Sequence, residues 1–262
     1  MTSTKRMNKL SVITVNFNNS SGLRTTIESI IAQNFKDFEF LIIDGGSTDG
    51  SIEVINQFEY KITYWVSEAD RGIYHAMNKG IRKANGEYLL FLNSGDFLVN
   101  NNIITEIFSL KCESDLIMGN LITKDNYEIK LDFSINFANI WKYGAHHQAM
   151  FIKKKLFDQI GFYNENGDIT ADWQFLMLVL FKFNRSFAYL DKIISVYDMD
   201  GISSKKENRN RISEEKKRFM KVNFRNYPLL ILQIITFFRK NYQRLRSIPS
   251  RIKRIISFKA IN

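Results

Sequence analysis

The stretch Leu41-Ile-Ile-Asp-Gly-Gly-Ser-Thr-Asp-Gly-Ser51 decides how this chain folds. It joins an aliphatic run to a glycine-rich turn, and Asp44 stands at the junction. Short aliphatic runs bounded by turn residues are typical of buried strands in a parallel sheet. Glycine lets a ligand approach the backbone of such a turn. We therefore expect a strand that ends at a carboxylate facing a ligand, followed by a helix that Asp49 caps.

Similar patterns flank this stretch and predict an α/β fold. The predicted strands are Leu10 to Val15, Glu39 to Ile43, Ile62 to Val66 and Tyr88 to Leu92. Between them lie two apolar helical faces, formed by Leu23, Ile27, Ile30 and Ile31 and by Ile73, Met77 and Ile81, the second with Asp70 as its cap. Alternating strands and helices predict βαβ units and a mostly parallel sheet.

Polar residues stand at the end of every predicted strand. In open α/β sheets, ligands bind outside the carboxyl ends of the strands. The residues at these ends are Asn16 and Asn18, Asp44, Glu68 and Asp70, and Asn93 and Asp96. One such residue is equally well explained as a turn former. Their occurrence at four consecutive strand ends favours a nucleotide pocket.

Composition limits the classes of function. A chain of 262 residues with 45% hydrophobic residues can bury the core of one domain with an appendage. The single cysteine, Cys112, can form neither an internal disulfide nor a multi-cysteine metal site, so we expect a reducing, cytoplasmic setting without a secretion signal. The glycine spacing matches neither the phosphate loop G-x-x-x-x-G-K-[ST] nor the dinucleotide fingerprint G-x-G-x-x-G.

Three motifs in order resemble those of glycosyltransferase family 2. They are Ser11-Val-Ile-Thr-Val-Asn-Phe-Asn18, the run that begins at Asp44, and Phe91-Leu-Asn-Ser-Gly-Asp96. Ser67-Glu-Ala-Asp-Arg-Gly-Ile-Tyr74 is similar to the bacterial polysaccharide-assembly members of that family. The resemblance covers about residues 8 to 200. It implies an inverting enzyme with a GT-A domain over residues 1–204, divided into a nucleotide-binding half (about 8–100) and an acceptor half (101–204).

The resemblance also implies roles for residues around the donor. Val15 and Asn16 would flank the base, and Asp44 would bind the nucleoside. Asp70 and Asn78 would lie around the rest of the nucleotide.

The chain departs from the family pattern at three places. Gly45 stands where the family often has a second aspartate, and Met77 where many members have arginine, so Arg71 is expected to supply that positive charge. The family's metal motif Asp-x-Asp is reduced to one carboxylate, Asp96. We expect Asp96 to bind Mn²⁺ or Mg²⁺ together with diphosphate oxygens and waters, and Asn93 to contact the sugar or a water. The alternative is a turn without a metal.

Inversion needs a base within hydrogen-bond reach of the acceptor hydroxyl. The resemblance places it at Asp172, which opens a helix in Thr170-Ala-Asp-Trp-Gln174. The alternative is a plain helix N-cap, a position that favours aspartate. Asp168 and Glu165 lie nearby and match the motif less well.

The second half of the domain mixes helices with strands that we expect to be antiparallel. These strands are Leu116 to Thr123, Glu128 to Phe133, Gln148 to Ile152 and Ile193 to Asp198. His146 and His147 would point to opposite faces of a strand, so one of them would face the site. The resemblance favours His147 and Gln148 as contacts of acceptor hydroxyls or the diphosphate, with a structural role as the alternative.

Residues 205–262 form a basic tail that holds 17 of the 37 basic residues and 3 of the 27 acidic ones. Ile248, Ile252, Ile255 and Ile256 recur at helical spacing among basic residues, a pattern typical of a helix that lies on an anionic membrane surface. The apolar run from Tyr227 to Phe238 is too short to span a bilayer. The alternative for this run is packing on the domain or in a homodimer.

Together these patterns predict a metal-dependent hexosyl or N-acetylhexosaminyl transferase. The expected donor is a nucleotide-diphosphate sugar, UDP-linked, and the expected acceptor a lipid-linked or polysaccharide hydroxyl at the inner face of the bacterial cell membrane. Nucleic acid is not expected, because the basic residues accompany aliphatic ones in a terminal segment. The alternatives are a sugar nucleotidyltransferase, whose basic phosphate loop is missing from Asn16-Phe-Asn-Asn-Ser20, and a non-catalytic, membrane-attached saccharide-binding module.

Overall fold

The structure, a computed structural model, describes residues 8–130, 140, 146–166, 169–199, 201 and 205–224. The strands are β1 Leu10–Asn16, β2 Phe38–Asp44, β3 Tyr64–Ser67, β4 Tyr88–Phe91, β5 Phe97–Leu98, β6 Leu116–Thr123, β7 Glu128–Ile129, β8 Met150–Lys153 and β9 Phe187–Tyr197. The helices are α1 Ser20–Ile31, α2 Ser51–Phe58, α3 Ile73–Lys83, α4 Ile103–Ser109, α5 Lys155–Ile160, α6 Ala171–Met177 and α7 Arg209–Asn223.

The described strands form one mixed sheet in the order β3-β2-β1-β4-β8-β6-β9-β5, with β7 beside β6. The neighbours β3, β2, β1 and β4 are parallel, as the alternating pattern predicts. Strand β8 runs antiparallel to both β4 and β6. Strand β9, however, is parallel to β6, so the expectation of antiparallel strands in this half is wrong for that pair. The long connection through β7, β8, α5 and α6 allows the chain to return in the same direction.

Two apolar layers cover the sheet, and alternate residues of each strand face them. In β1, Val12 packs in the layer that contains the apolar faces of α1 and α2. Its neighbour Ile13 packs in the opposite layer with Met77 and Ile81 of α3. Burial on both faces explains why the first strands read as continuous aliphatic runs.

The ends of several elements differ from the sequence expectations. Gly72, with φ of +124°, precedes α3, so the prediction that Asp70 caps this helix is wrong. Gly50 is the N-cap of α2, although Asp49 does accept a hydrogen bond from the backbone N of Ser51. The strand predicted from Ile62 begins two residues later, because a 3₁₀ turn comes first. Residues 131–133 of the predicted strand Glu128 to Phe133 lie outside the described residues.

Helix α7 is the described part of the predicted tail. Phe219, Met220 and Phe224 pack in the same layer as α3 and α6. No helix within the described residues is both long and apolar enough to cross a membrane. The predicted amphipathic segment around Ile248 to Ile256 lies outside the described residues.

Candidate active site

A cavity of about 340 Å³ is lined by residues that follow β4, by the end of β9 and by the start of α6. Six of the predicted site residues line it: Arg71, Asn93, Asp96, His147, Gln148 and Asp172. The other five lie outside its wall: Val15, Asn16, Asp44, Asp70 and Asn78. The predicted base, metal ligand and acceptor residues therefore share one space.

His147 reaches this cavity because β8 pairs with β4. It opens a 3₁₀ turn, His147–Ala149, immediately before β8, and not a strand as the pattern predicts. Its Nδ1 lies 2.9 Å from Oδ2 of Asp172, and its Nε2 lies 3.1 Å from Nδ2 of Asn93. An ionised carboxylate only accepts, so Nδ1 carries a hydrogen, and in the neutral ring Nε2 accepts from the Asn93 amide. The ring of His146 instead lies 6.1 Å from that of Tyr197.

Asp172 lies in the first turn of α6, behind the N-cap Thr170, so the alternative of a plain N-cap is wrong. Its Oδ1 accepts from the backbone N of Trp173 at 2.8 Å and from the hydroxyl of Tyr74 at 2.9 Å. Burial acts to raise the pKa of Asp172, but the donors from His147, Tyr74 and Trp173 outweigh it and hold the pKa below its ordinary value. The side chain is therefore an anion at neutral pH.

The donors to Asp172 within the described residues leave its carboxylate at least one position at which it can accept a hydrogen. A carboxylate offers about four lone-pair sites. Donors from the described residues occupy two at Oδ1 and one at Oδ2. The side chain lines the cavity and is 14% exposed. Oδ2 can therefore accept a hydrogen from a molecule bound there.

Asp96 is held in the turn between β4 and β5 by two donors. Its Oδ2 accepts from Nε2 of Gln148 at 3.1 Å, and its Oδ1 from the backbone N of Asp198 at 2.9 Å. Gly95 has φ of +104°, and a Cβ there would collide with the Asp198 side chain, so this turn requires glycine. Burial raises the pKa of Asp96 to about 6, since its side chain is almost fully removed from water. A nearby cation would favour its ionised form.

The donor atoms around Asp96 suit a hard divalent cation. Oδ1 of Asn93 and Oε1 of Gln148 are buried and have no hydrogen-bond partner among the described residues. Carboxylate and amide oxygens are ligand types that Mg²⁺ and Mn²⁺ accept. No group of three or more His, Cys, Asp or Glu side chains able to hold a metal occurs in the described ranges. Substrate oxygens and waters would have to complete the coordination.

Asn16 and Asp44 meet at the ends of the paired strands β1 and β2. Nδ2 of Asn16 donates to Oδ1 of Asp44 at 2.7 Å. Ser47 donates to the same carboxylate through its backbone N and hydroxyl, and Ser67 donates at 2.6 Å. Asp44 is fully buried, so in this state it organises the turn after β2. Its contact with a nucleoside stays a prediction.

Asp70 contacts Lys79, with which it forms an ion pair, and His75, and it does not line the cavity. Nζ of Lys79 lies 2.5 Å from its Oδ1, and Nδ1 of His75 lies 3.0 Å from the same oxygen. A Cβ on Gly45 would lie 3.3 Å from Oδ2 of Asp70, so an aspartate at 45 would bring two carboxylates together. Repulsion between the two carboxylates is a local reason why glycine, and not aspartate, occupies position 45. Val15 is buried in the layer beneath α3.

Asn78 and Arg71 are joined through Glu165. Nδ2 of Asn78 donates to the carbonyl of Tyr163 at 2.9 Å and to Oε1 of Glu165 at 2.8 Å. Arg71 donates to the other oxygen of Glu165 at 2.7 Å and lines the cavity. The hydrogen bond from Asn78, followed by that from Arg71, holds the pKa of Glu165 below its ordinary value. Asp168, the other rival base, lies outside the described residues.

Comparison with known proteins assigns the chain to a family. The profile described as "Glycosyl transferase family 2" matches residues 11–186, which is more than half of the chain. The chain belongs to glycosyltransferase family 2. It is 32% identical over 176 residues to an uncharacterized glycosyltransferase of Mycobacterium tuberculosis, covering 64% of this chain and 67% of that protein. It is 33% identical over 172 residues to a PGL/p-HBAD biosynthesis glycosyltransferase of Mycobacterium bovis, covering 63% and 67%.

Solved structures confirm the predicted GT-A fold of this glycosyltransferase. Staphylococcus aureus TarS 1-349 in complex with UDP superposes with a TM-score of 0.62 at 21% identity, over 72% of this chain and 60% of that one. The mannosyltransferase PcManGT from Pyrobaculum calidifontis, in complex with GDP-Man and Mn²⁺, gives 0.59 at 14% identity, over 76% and 59%. At these identities the likeness concerns the fold.

Tyr74 and Arg211 are two residues of the cavity wall to which sequence reasoning gave no role. Tyr74, which donates to Asp172, was present in the Ser67 to Tyr74 motif without a role. Arg211 lies in the segment assigned to the tail, where nothing in the charge pattern separates it from its basic neighbours.

Proposed function

We propose that this glycosyltransferase moves a sugar with inversion from a nucleotide-diphosphate donor to an acceptor hydroxyl. One observation carries the proposal: a histidine-bound, anionic Asp172 with one remaining acceptor position shares the cavity with Asp96 and its amide neighbours. Complexes of TarS with UDP and UDP-GlcNAc support a UDP-linked donor, although GDP-Man is bound by another neighbour.

Asp172 acts as the general base. Its Oδ2 accepts the proton of the acceptor hydroxyl as that oxygen attacks the anomeric carbon, and the bond to the nucleotide diphosphate breaks on the opposite face. His147 and Tyr74 hold the carboxylate at the cavity wall. One displacement of this kind inverts the anomeric centre. Glu165 is a weaker candidate, because it forms an ion pair with Arg71, whereas no Lys or Arg of the described residues forms an ion pair with Asp172.

The departing diphosphate needs a positive charge. Asp96, with the amide oxygens of Asn93 and Gln148, would hold Mn²⁺ or Mg²⁺. When bound, such a cation offsets charge on the leaving group. Arg71 and Arg211 also lie on the cavity wall, where each is paired with a glutamate, Glu165 and Glu215 respectively.

Turnover of a panel of nucleotide sugars tests this function. The full chain would be incubated with Mn²⁺ and UDP-, GDP- and dTDP-linked sugars, and release of the free nucleotide measured. We expect slow hydrolysis of one nucleotide class, faster with a saccharide or lipid-linked acceptor and inverted at the anomeric carbon. Release of pyrophosphate from a nucleoside triphosphate and a sugar phosphate would instead indicate a nucleotidyltransferase. Saccharide binding without turnover of any donor would indicate a non-catalytic module.

A second experiment tests the metal proposal. Binding of Mn²⁺ in the presence of UDP can be followed by calorimetry or electron paramagnetic resonance. We expect Asp96→Ala to abolish this binding and metal-supported turnover, and Asn93→Asp, which adds a carboxylate, to raise the affinity. Unaltered turnover of Asp96→Ala without a metal would contradict the assignment.

We also propose that the basic segment attaches the enzyme to the inner face of the cell membrane. Its composition supports this, since basic residues accompany aliphatic ones at helical spacing. The full chain and a chain ending at Tyr227 would be sedimented with vesicles containing anionic lipid at low and high salt. We expect only the full chain to bind, and less at high salt, because each basic residue near the surface contributes about 1 kcal/mol. Equal binding of both chains would contradict the proposal, and a shift to dimers in the full chain alone would favour the homodimer alternative.

A further inference from the structure

Helix α7 contacts the loop that precedes the proposed base. Glu215 lies in the middle of this helix and is only 4% exposed. Its Oε2 lies 2.8 Å from the backbone N of Ile169 and 3.2 Å from both the backbone N and the hydroxyl of Thr170. All three groups donate to this one oxygen. Thr170 is the N-cap of α6, two residues before Asp172.

The same loop is also contacted by α3, through Tyr74. The hydroxyl of Tyr74 lies 2.8 Å from the carbonyl of Ile169 and 2.9 Å from Oδ1 of Asp172. The single hydroxyl hydrogen of Tyr74 is shared between these two acceptors, so Ile169 has its N–H bound by α7 and its C=O in a shared hydrogen bond with α3. The backbone immediately before the base is held at both of its polar groups, so the position of Asp172 depends on both helices.

Further contacts seat α7 against the residue that follows the base. Nζ of Lys216 lies 4.7 Å from the centroid of the Trp173 ring, and the ring of Phe219 packs on that of Trp173 at 5.8 Å. Nε of Arg211 lies 3.0 Å from Oε1 of Glu215 and compensates the buried charge. Arg211 also lines the cavity, so this ion pair joins the cavity wall to the anchor of the loop.

We infer that Glu215 is a positioning residue for the glycosyl transfer: the carboxylate of α7 anchors the Ile169–Thr170 backbone and thereby aligns Asp172 with the acceptor. This inference rests on the proposed function of Asp172. It assigns part of the basic C-terminal segment to the active site. A misplacement of about 1 Å can lower turnover by about 10²-fold, so loss of the anchor affects catalysis more than donor binding.

Three substitutions of Glu215 test this assignment, with Glu214→Ala as the matched control, since the Glu214 side chain is 76% exposed on the same helix. Glu215→Ala removes the acceptor. Glu215→Asp keeps the charge beside Arg211 but shortens the reach by one carbon–carbon bond, about 1.5 Å. Glu215→Gln keeps the length and one acceptor oxygen. We expect kcat to fall about 10- to 100-fold in the first two, with the donor KM within about twofold, and Glu215→Gln to recover most of the loss.

Amide hydrogen exchange gives a readout that does not depend on turnover. In Glu215→Ala and Glu215→Asp, the amides of Ile169 and Thr170 should exchange faster than in the wild type and in Glu214→Ala. Wild-type kcat in a folded Glu215→Asp, or unchanged exchange at these two amides, would overturn the inference. If no nucleotide sugar is turned over by the wild type, the proposed function fails, while the exchange measurement still decides whether Glu215 anchors the loop.

Discussion

Replacing Asp172 by asparagine separates the charge of the proposed base from its shape. The amide oxygen can take the place of Oδ1 and still accept from Tyr74 and the backbone of Trp173. The new NH₂ group then faces the Nδ1–H of His147 at the position where the two atoms now lie 2.9 Å apart. A hydrogen bond to a charged group contributes about 1.5–3 kcal/mol. We expect the free energy of unfolding at pH 7 to fall by about this amount.

The pH dependence of this loss follows from the direction of the pKa shift. The pKa of Asp172 is below its ordinary value in the folded protein, despite the opposing effect of burial. Its stabilising contribution is therefore fully present above the unfolded pKa of about 3.9 and is lost as the pH falls through the lower folded pKa. The stability difference between wild type and Asp172→Asn should shrink as the pH falls below 4.

Turnover should fall far more than stability. General-base catalysis contributes about 10²- to 10⁴-fold, so we expect kcat of Asp172→Asn to fall by that factor while the nucleotide still binds. The assay compares single-turnover rates with the best donor of the panel and uses calorimetry for UDP. Asp158→Asn, an exposed change of the same chemistry on α5, is the matched control. A kcat within threefold of the wild type would refute the assignment of Asp172 and would make Glu165 or Asp168 the candidate base.

Three further predictions concern stability and can be measured by urea unfolding. Burial raises the pKa of Asp96 to about 6, so the free energy of unfolding of the metal-free protein should fall by about 3 kcal/mol as the pH rises from 4 to 6. Asp96→Asn should remove this pH dependence. An unchanged pH dependence in that variant would contradict the raised pKa. Asp44→Ala leaves several buried donors unpaired and should cost about 3 kcal/mol, whereas a loss below about 1 kcal/mol would show that the turn finds other partners. Gly80→Ala gains about 1 kcal/mol of helix propensity but places a Cβ 2.5 Å from the side chain of Ile13. Overpacking of this kind costs about 1–3 kcal/mol, so the substitution should be neutral to destabilising. Clear stabilisation would mean that α3 can move away from the sheet.

The nucleotide-binding half was predictable because its signals are local. Strands buried on both faces read as aliphatic runs, and parallel strands bring their carboxyl ends to one edge. Asn16 and Asp44 could therefore be placed together from the sequence, and the structure pairs them at 2.7 Å. The family motifs then extended the prediction to the GT-A fold, which the solved structures confirm.

The environment of the base depended on tertiary structure. Asp172, His147 and Tyr74 come from α6, a turn before β8 and α3, up to 98 residues apart in sequence. Their hydrogen bonds depend on the pairing of β8 with β4 and on the packing of α3 beside α6, and no local periodicity encodes either. The shared direction of β6 and β9 was missed for the same reason, since strand direction depends on how the long connection returns.

The tail shows the same division. The sequence by itself determined its charge and its apolar spacing, because both are properties of composition. The packing of α7 on the loop before Asp172 emerged only in the folded chain. Glu215 is one of 3 acidic residues among the many basic ones of residues 205–262, and nothing in that pattern distinguishes it from Glu214. Only the fold buries one of these neighbours against two backbone amides and leaves the other in solvent.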